Sequence, residues 1–320
     1  SGTDFTLTDG TATIFAGNSS TTFDLTILED SDSEPTETII ISLSSPSGSS
    51  LGSQTTYTFN ILNDDFISPT STAPSNGDGS EASPYEITSL ENLYWMTQQG
   101  YNDVISKHFI QTADIDASNS EYWSGKFPQI GNNITPFSGS YDGQEYTISN
   151  LFIESSDYSV GLFNEVSNDS ETVIIKNLNI ENIDVKSNYQ YGYFGALTGK
   201  VGPNVEINNV HISGSIYSSN SGASYIGGFF GETVGDNITI EGCSFNGTIS
   251  GESEIGGFIG DVGHTNVVIS NSFTKGNYSG TGSYARVGGL IGYIAFENTK
   301  ILRDFIDAIC TVLHLNEKLK

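Results

Sequence analysis

The chain has 320 residues, with 38 Asp+Glu against 11 Lys+Arg and a formal charge of -27. That length fits two domains or one long solenoid, and so acidic a surface disfavours nucleic acid and anionic lipid as partners while favouring solubility and cation binding. Two cysteines, Cys243 and Cys310, cannot frame so long a chain with disulfides, and no apolar run reaches the ~20 residues that a bilayer-crossing helix needs.

The first basic side chain is Lys107, so the N-terminal third carries acidic charge alone. Thr, Ser, Asn and Gly dominate the polar positions, as in many secreted bacterial β-proteins. The acidity has two readings: a capacity for cations, or solubility in a salty or extracellular setting. With neither an initiator Met nor a signal peptide, the sequence reads as an internal piece of something longer.

Residues 1–66 alternate apolar and polar side chains over Thr11–Phe15, Phe23–Leu28, Ile39–Leu43 and Tyr57–Leu62, with turn formers between them. Short strands at this spacing predict an antiparallel β-sandwich. Acidic residues gather at the strand ends: Asp4 before the first strand, Glu29, Asp30, Asp32, Glu34 and Glu37 after Leu28, and Asp64 and Asp65 at the close. In a sandwich these three loci can meet at one end, where crowded carboxylates repel unless a hard cation sits among them. Ca²⁺ suits ligands from separate loops, since it accepts ~6–8 oxygens in a flexible shell.

The Gly2-Thr3-Asp4-Phe5 start, the Ile27–Thr38 run, Leu43–Gly48 and the closing Ile61-Leu62-Asn63-Asp64-Asp65 together resemble a Calx-beta domain over essentially the whole block. The resemblance implies a calcium site made by Asp4, Asp30, Glu34, Glu37, Asp64 and Asp65. The family's first strands, with one acidic ligand, fall upstream of Ser1. The module therefore reads as a partial sandwich with an exposed strand edge and an incomplete calcium site.

Pro69, Pro74 and Pro84 among Ser, Thr, Gly and Ala make 67–84 a linker. A second domain follows over 85–293. Thr88 and Glu91 have capping-box spacing, and Leu90, Leu93 and Tyr94 share a helical face, which predicts one short helix ending near Gly100. Beyond it, Val160-Gly161-Leu162-Phe163 opens a series of glycine-flanked apolar phrases. The others are Tyr191–Gly195, Gly227–Gly231, Gly256–Gly260 and Gly288–Gly292. Aligned on Gly161, Gly192, Gly228, Gly257 and Gly289, the steps are 31, 36, 29 and 32 residues, a period that signals stacked repeats. Each phrase alternates with an Asn-containing β segment such as Ile174–Ile180 or Val205–Ile212. One coil cannot bury its apolar face alone, so the pattern predicts a parallel β-solenoid with Phe163, Phe194, Phe230, Ile259 and Ile291 stacked inside. The glycines suit corners at positive φ or close approach of neighbouring coils. From about residue 79 to 293 the segment resembles the leader and GLUG repeats of bacterial surface proteins. The resemblance implies an adhesin-like module, or one lying outside the catalytic region of a secreted zinc peptidase.

Residues 294–320 break the pattern. Glycine stops after Gly292, basic residues return at Lys300, Arg303, Lys318 and Lys320, and Ile301, Phe305, Ile306, Ile309, Val312 and Leu313 have helical spacing. A helical tail is predicted, either capping the solenoid or foreign to it.

The chemistry of an enzyme is sparse. His108, His211, His264 and His314 form no HExxH pair, no Gly-x-Ser-x-Gly elbow appears, and Cys243 has no triad context. Asp114 and Asp116 share a strand face and could serve glycan chemistry, but their Thr112-Ala113-Asp114-Ile115-Asp116 phrase belongs to the structural leader. The reading is an all-β, non-catalytic piece of an extracellular or cell-surface protein. It carries calcium in the sandwich and meets a surface glycan or protein ligand. The alternatives are a carbohydrate-binding or carbohydrate-active β-helix, and an accessory region of a secreted metallopeptidase.

Overall fold

The computed structural model describes residues 4–7, 9–28, 36–61, 65–99, 103–219, 222, 224–295, 299–302 and 305–312, the last of these through its backbone. The chain divides into two compact units, Ser1–Ser68 and Pro69–Lys320.

In the first unit Phe5–Thr6 pairs antiparallel with Thr26–Ile27, and Glu37–Ser42 pairs with Thr56–Ile61. Among the described residues the expected sandwich is not seen. The pairs are separate two-stranded sheets, Thr11–Phe15 lies outside any strand, and Ile14, Phe15, Phe23, Tyr57 and Phe59 are exposed. Among the described residues of this unit, Ile39 is the one large apolar side chain that is buried. A two-stranded ribbon has no second layer to cover its apolar face, and alternation of side chains cannot supply one.

The second unit opens with the strand Tyr85–Ile87 and the helix Leu90–Thr97. The cap is Ser89 rather than Thr88: its hydroxyl accepts the Asn92 amide at 3.4 Å, while the Thr88 hydroxyl donates to the Asn92 carboxamide at 2.8 Å. Leu90, Leu93 and Met96 are buried, and Tyr94 packs edge-on against Trp123 at 5.0 Å. The helix thus closes one end of the core.

From Ser159 onward the chain climbs as a parallel solenoid. Each rung supplies one strand to each of two narrow five-stranded sheets and a longer stretch to a broad sheet. The first narrow sheet stacks Ser159–Val160, Tyr193–Gly195, Tyr225–Gly227, Glu254–Gly256 and Arg286–Gly288. The second stacks Phe163–Val166, Thr198–Val201, Phe230–Thr233, Ile259–Val262 and Ile291–Ile294. In the broad sheet Val173, Val205, Ile238 and Val267 form one buried column and Ile175, Ile207, Ile240 and Ile269 another. Burying each such side chain stabilises by about 1.5–3 kcal/mol.

One rung is phased differently from the sequence alignment. Phe163, Phe230, Ile259 and Ile291 share a column, but Thr198 fills its second rung. Phe194 stands instead in the column of Val160, Ile226, Ile255 and Val287. It is fully buried there. The Tyr191-Gly192 pair imitates a phrase start, whereas Gly195 is the residue in register with Gly227, Gly256 and Gly288.

Of the two roles open to the phrase glycines, they take close approach. The described ones do not adopt positive φ, and a Cβ on Gly260 would stand 2.6 Å from the Gly231 carbonyl oxygen, because the narrow sheets meet backbone to backbone. The left-handed corners belong to asparagine. Asn204, Asn237 and Asn266 stack at one corner, and Asn177, Asn209 and Asn271 at another, all with φ between 50 and 63°. Each carboxamide can bond the rung below, as Asn237 Nδ2 does to Asn204 Oδ1 at 3.2 Å and Asn209 Nδ2 to Asn177 Oδ1 at 3.1 Å. Asparagine tolerates this conformation better than other side chains, and the ladder supplies its polar group with partners.

Where the tail is described, strands stand in place of the expected C-terminal helix. Lys300–Leu302 and Phe305–Val312 continue the broad sheet, in parallel register with Val268–Ser270 and Phe273–Gly280. The tail is rich in β-branched side chains, which favour strands. The edge at 273–280 also offers backbone groups that a helix could not satisfy.

Candidate functional site

The expected calcium ligands are only partly within the described residues: Asp30, Glu34 and Asp64 lie outside them. Asp4 precedes the Phe5–Thr6 strand, and its carbonyl accepts the Leu28 amide at 2.9 Å. Glu37 starts its strand opposite Ile61, the residue that leads toward Asp65. Among the described residues, no group of three His, Cys, Asp or Glu side chains is placed to hold a metal ion.

The densest cluster of functional side chains lies on the wall formed by the two narrow sheets. Alternation along each strand turns one column inward and the next outward. Outward from the first narrow sheet stand Tyr193, Tyr225, Glu254 and Arg286 in successive rungs. Outward from the second stand Glu165, Lys200, Glu232, Asp261 and Tyr293. Tyr193 and Tyr225 stack with ring centroids 5.2 Å apart and planes 8° from parallel. The Tyr158 hydroxyl donates to that of Tyr193 at 2.9 Å, and the Tyr193 hydroxyl acts on the Glu232 carboxyl in the next rung. Lys200 Nζ lies 5.4 Å from the Tyr193 ring centre. At the far end Arg286 pairs with Glu254 at 2.8 Å and covers the Tyr293 ring at 4.1 Å.

Crowding within this wall sets its protonation. Burial is the first cause that pushes the Glu232 carboxyl up to about 7; Asp261 adds repulsion, while Lys200 and the Tyr193 hydroxyl oppose it. Burial also pushes Asp261 up to about 6, with Glu254 adding and Arg286 opposing. Glu165 is raised by burial against the attraction of Lys200. Tyr193 is held above the ordinary phenol range by burial first, then by its bond with Tyr158 and the charge of Glu232. Asp261 is 7 % exposed, and its Oδ1 has no hydrogen-bond partner among the described residues. The wall is therefore a proton-holding strip of carboxyl and phenol groups with a cation near each end.

Unfolded carboxyls ionise near ~4, so between there and neutrality the folded wall holds more protons than the unfolded chain. Stability is greatest below that window and falls as pH rises from about 4.5 to about 7. Glu232 is half-buried, and solvent screening trims its effect to about 1 kcal/mol. For a unit of this size that is about 2–4 °C in Tm. A thermal melt should accordingly be lower at about pH 7.5 than at about pH 5, and Glu232→Gln should flatten the difference; a Tm that climbs over this range would contradict the assignment.

The acidic pair Asp114 and Asp116 has the structural place in the leader that its sequence context implies. Asp114 accepts the Thr147 amide at 2.8 Å. Asp116 accepts the Ser118 amide at 3.0 Å and the Asn150 carboxamide at 3.2 Å, and its pKa is lowered, first by the Asn150 bond. Both carboxylates hold the backbone of the leader. Cys243 is buried, and burial pushes its thiol up to about 12, which makes it a poor nucleophile.

No family model matches the chain. It is 33% identical over 178 residues to Halomucin of Haloquadratum walsbyi, a match that covers 53% of this chain and 2% of that protein. The chain thus spans a very small part of the curated relative it matches. A candidate immunoglobulin A1 protease from Bacteroides ovatus, known from a crystal structure, superposes with a TM-score of 0.55 at 21% identity, over 75% of this chain and 70% of that one. That is a likeness of fold. An IgA1 protease gives a TM-score of 0.33 at 16% identity over 83% of this chain and 22% of that one, too loose to carry an argument.

Proposed function

We propose that this chain is a display and adhesion segment of a secreted or cell-surface protein, with GLUG-type repeats forming the solenoid and a Calx-beta-like, calcium-linked unit before it. The observation that carries the reading is the sealed stack of rungs, which presents one continuous outward wall of Tyr158, Tyr193, Tyr225, Glu232 and Asp261. The similarity to Halomucin, a mucin by name, supports an extracellular place, and the acidity of the chain suits it. Calcium is supported by Asp4, whose Oδ1 is a buried oxygen without a hydrogen-bond partner among the described residues, the kind of group a hard cation satisfies. The fold shared with the Bacteroides ovatus protein also leaves room for the same module to serve as a non-catalytic region of a secreted metallopeptidase.

A second reading, a carbohydrate-active wall, is favoured by one observation. Glu232 and Asp261 are partners in parallel register, which puts their backbones about 4.7–4.9 Å apart. That is close to the about 5–5.5 Å separation of carboxyls in retaining glycosidases.

Two experiments on the full chain test these readings. In calorimetry, calcium at about 10 mM should raise the transition of the first unit by about 1.4–2.7 kcal/mol if its Kd is that of an extracellular module, about 10⁻⁴–10⁻³ M. Superimposable melts with and without calcium would remove the metal from the proposal. On a glycan array combined with a reducing-end assay, display predicts binding without cleavage. Cleavage that disappears in Glu232→Gln would instead establish the second reading, and silence in both assays would remove glycans as the ligand.

A further inference from the structure

The asparagine ladder is interrupted once. Positions 177, 209, 242 and 271 follow one another in register, and all four have positive φ, but the third is Gly242, at +65°. Beside it lies an open pocket of about 450 Å³ lined by Glu206, Asn208, Asn209, Thr239, Glu241 and Gly242. Below the break, Asn209 uses its Nδ2 to donate to Glu145 at 2.7 Å and to Asn177 at 3.1 Å. Among the described residues its Oδ1 meets the ring of His211 alone, at 3.2 Å, and a carbonyl oxygen has two lone pairs. Above the break, Asn271 has no carboxamide beneath it and reaches Glu241 at 3.4 Å. Asn209, which lines the pocket, and Asn271, one rung beyond Gly242 and outside the pocket lining, thus flank the one rung where the ladder has no side-chain amide.

We propose that this pocket binds the acetamido group of a neutral N-acetylhexosamine. The acetamido N–H donates to Asn209 Oδ1 and its carbonyl accepts from Asn271 Nδ2, completing the ladder that Gly242 leaves open. The pocket's volume falls within the range of small-ligand sites and exceeds what an amide alone would fill. The remaining lining, two carboxylates with Thr239 and Asn208, offers acceptors and donors suited to sugar hydroxyls. A peptide amide is the competing occupant. The strands on both sides, Val205–Ser218 and Ile238–Glu241, are already paired on both edges, so a peptide would find no free backbone to extend. The carboxylates Glu206 and Glu241 likewise exclude acidic sugars. The pocket lies on the broad sheet, apart from the tyrosine wall, and the inference does not depend on the reading of that wall.

The test is a titration of the full chain with N,N′-diacetylchitobiose, followed by NMR or calorimetry, with cellobiose as the sugar that lacks the acetamido group. Binding of the acetylated sugar should exceed that of cellobiose by about tenfold, the worth of one net hydrogen bond. Gly242→Asn should lose that binding while melting no lower than the parent. Asparagine accepts the left-handed backbone, and the nearest atom to its Cβ is the Asn209 amide nitrogen at 3.9 Å. Glu206→Gln, at an exposed position, is the second variant and should weaken binding with the fold intact. Equal binding by the parent and Gly242→Asn would overturn the proposal, as would equal binding of the two sugars. So would the absence of any binding by the parent, or a Gly-Asn-Gly peptide amide that binds in the sugar's place.

Discussion

Phe230→Ala is expected to lower the stability of the solenoid by about 3–5 kcal/mol, the cost of emptying a buried aromatic site. Phe230 is fully buried. It sits in register between Thr198 below and Ile259 above, and its ring packs edge-on against Phe229 at 6.2 Å. Thr198 is too short to fill the space from below, and the backbone contacts of the phrase glycines hold the two narrow sheets at a fixed separation. The cavity therefore cannot collapse. Urea unfolding followed by circular dichroism measures the loss, with Tyr284→Ala as the control, since Tyr284 is 90% exposed and should change stability by no more than about 0.5 kcal/mol. A central site is also informative about cooperativity. Rungs contact chiefly their neighbours, so weakening the middle one should separate the unfolding of the rungs above from those below. A Phe230→Ala protein as stable as the parent would mean that the column is not a packed core.

Much of this architecture was legible before any coordinates, for a definite reason. A glycine-flanked apolar word repeated at about 30 residues has few physical explanations other than stacked rungs, and the parallel registers of the narrow sheets agree with it. What was not legible turned on residues with two local meanings. Gly192 looks like the partner of Gly228, but Ala196 holds that place and Gly195 stands opposite Gly227, which moves Phe194 one column over. The tail from Ile301 to Val312 has helical spacing, yet it also presents β-branched residues to an open sheet edge, and the edge decided. Alternation in residues 1–66 marked three of the strands, Thr26–Ile27, Glu37–Ser42 and Thr56–Ile61, but not the number of layers, because layers depend on pairing partners that spacing does not encode.

The wall shows the same limit from the functional side. Its residues are dispersed from Tyr158 to Tyr293 and look unrelated in the sequence. Their common signal was present all the same. Tyr193, Tyr225, Glu254 and Arg286 each stand two residues before an in-register glycine, and Lys200, Glu232, Asp261 and Tyr293 each follow a glycine directly. Once the rungs are correctly phased, those flanking positions are the outward columns. The Asp114 and Asp116 pair was easier to see because its members are close in sequence, but close spacing in a leader brought it to backbone capping, whereas rung spacing brought Glu232 beside Asp261.

The steric role of the phrase glycines leads to the second large effect. Gly256→Ala adds one methyl group and is expected to cost about 3 kcal/mol, at the upper end of overpacking penalties. The backbone of Gly256 has no need of positive φ, so conformational strain is not the cause. The added Cβ would overlap the Ile259 carbonyl oxygen and stand 2.6 Å from the Gly292 amide nitrogen and 2.8 Å from the Leu290 carbonyl oxygen. All three are backbone atoms, two of them in the next rung, so no side-chain rotation relieves the clash. The rung must either lift away from its neighbour, breaking parallel hydrogen bonds to Arg286–Gly288, or push the second narrow sheet outward and open the column of Phe230, Ile259 and Ile291. Gly125→Ala is the matched control, because nothing lies within 4 Å of its Cβ. Amide hydrogen exchange reports where the damage falls: protection should drop at residues 254–262 and 286–294 and persist in the leader near Leu93 and Phe109. If Gly256→Ala matched Gly125→Ala in stability and protection, the narrow sheets would not be in backbone contact, and the glycine word would need another explanation.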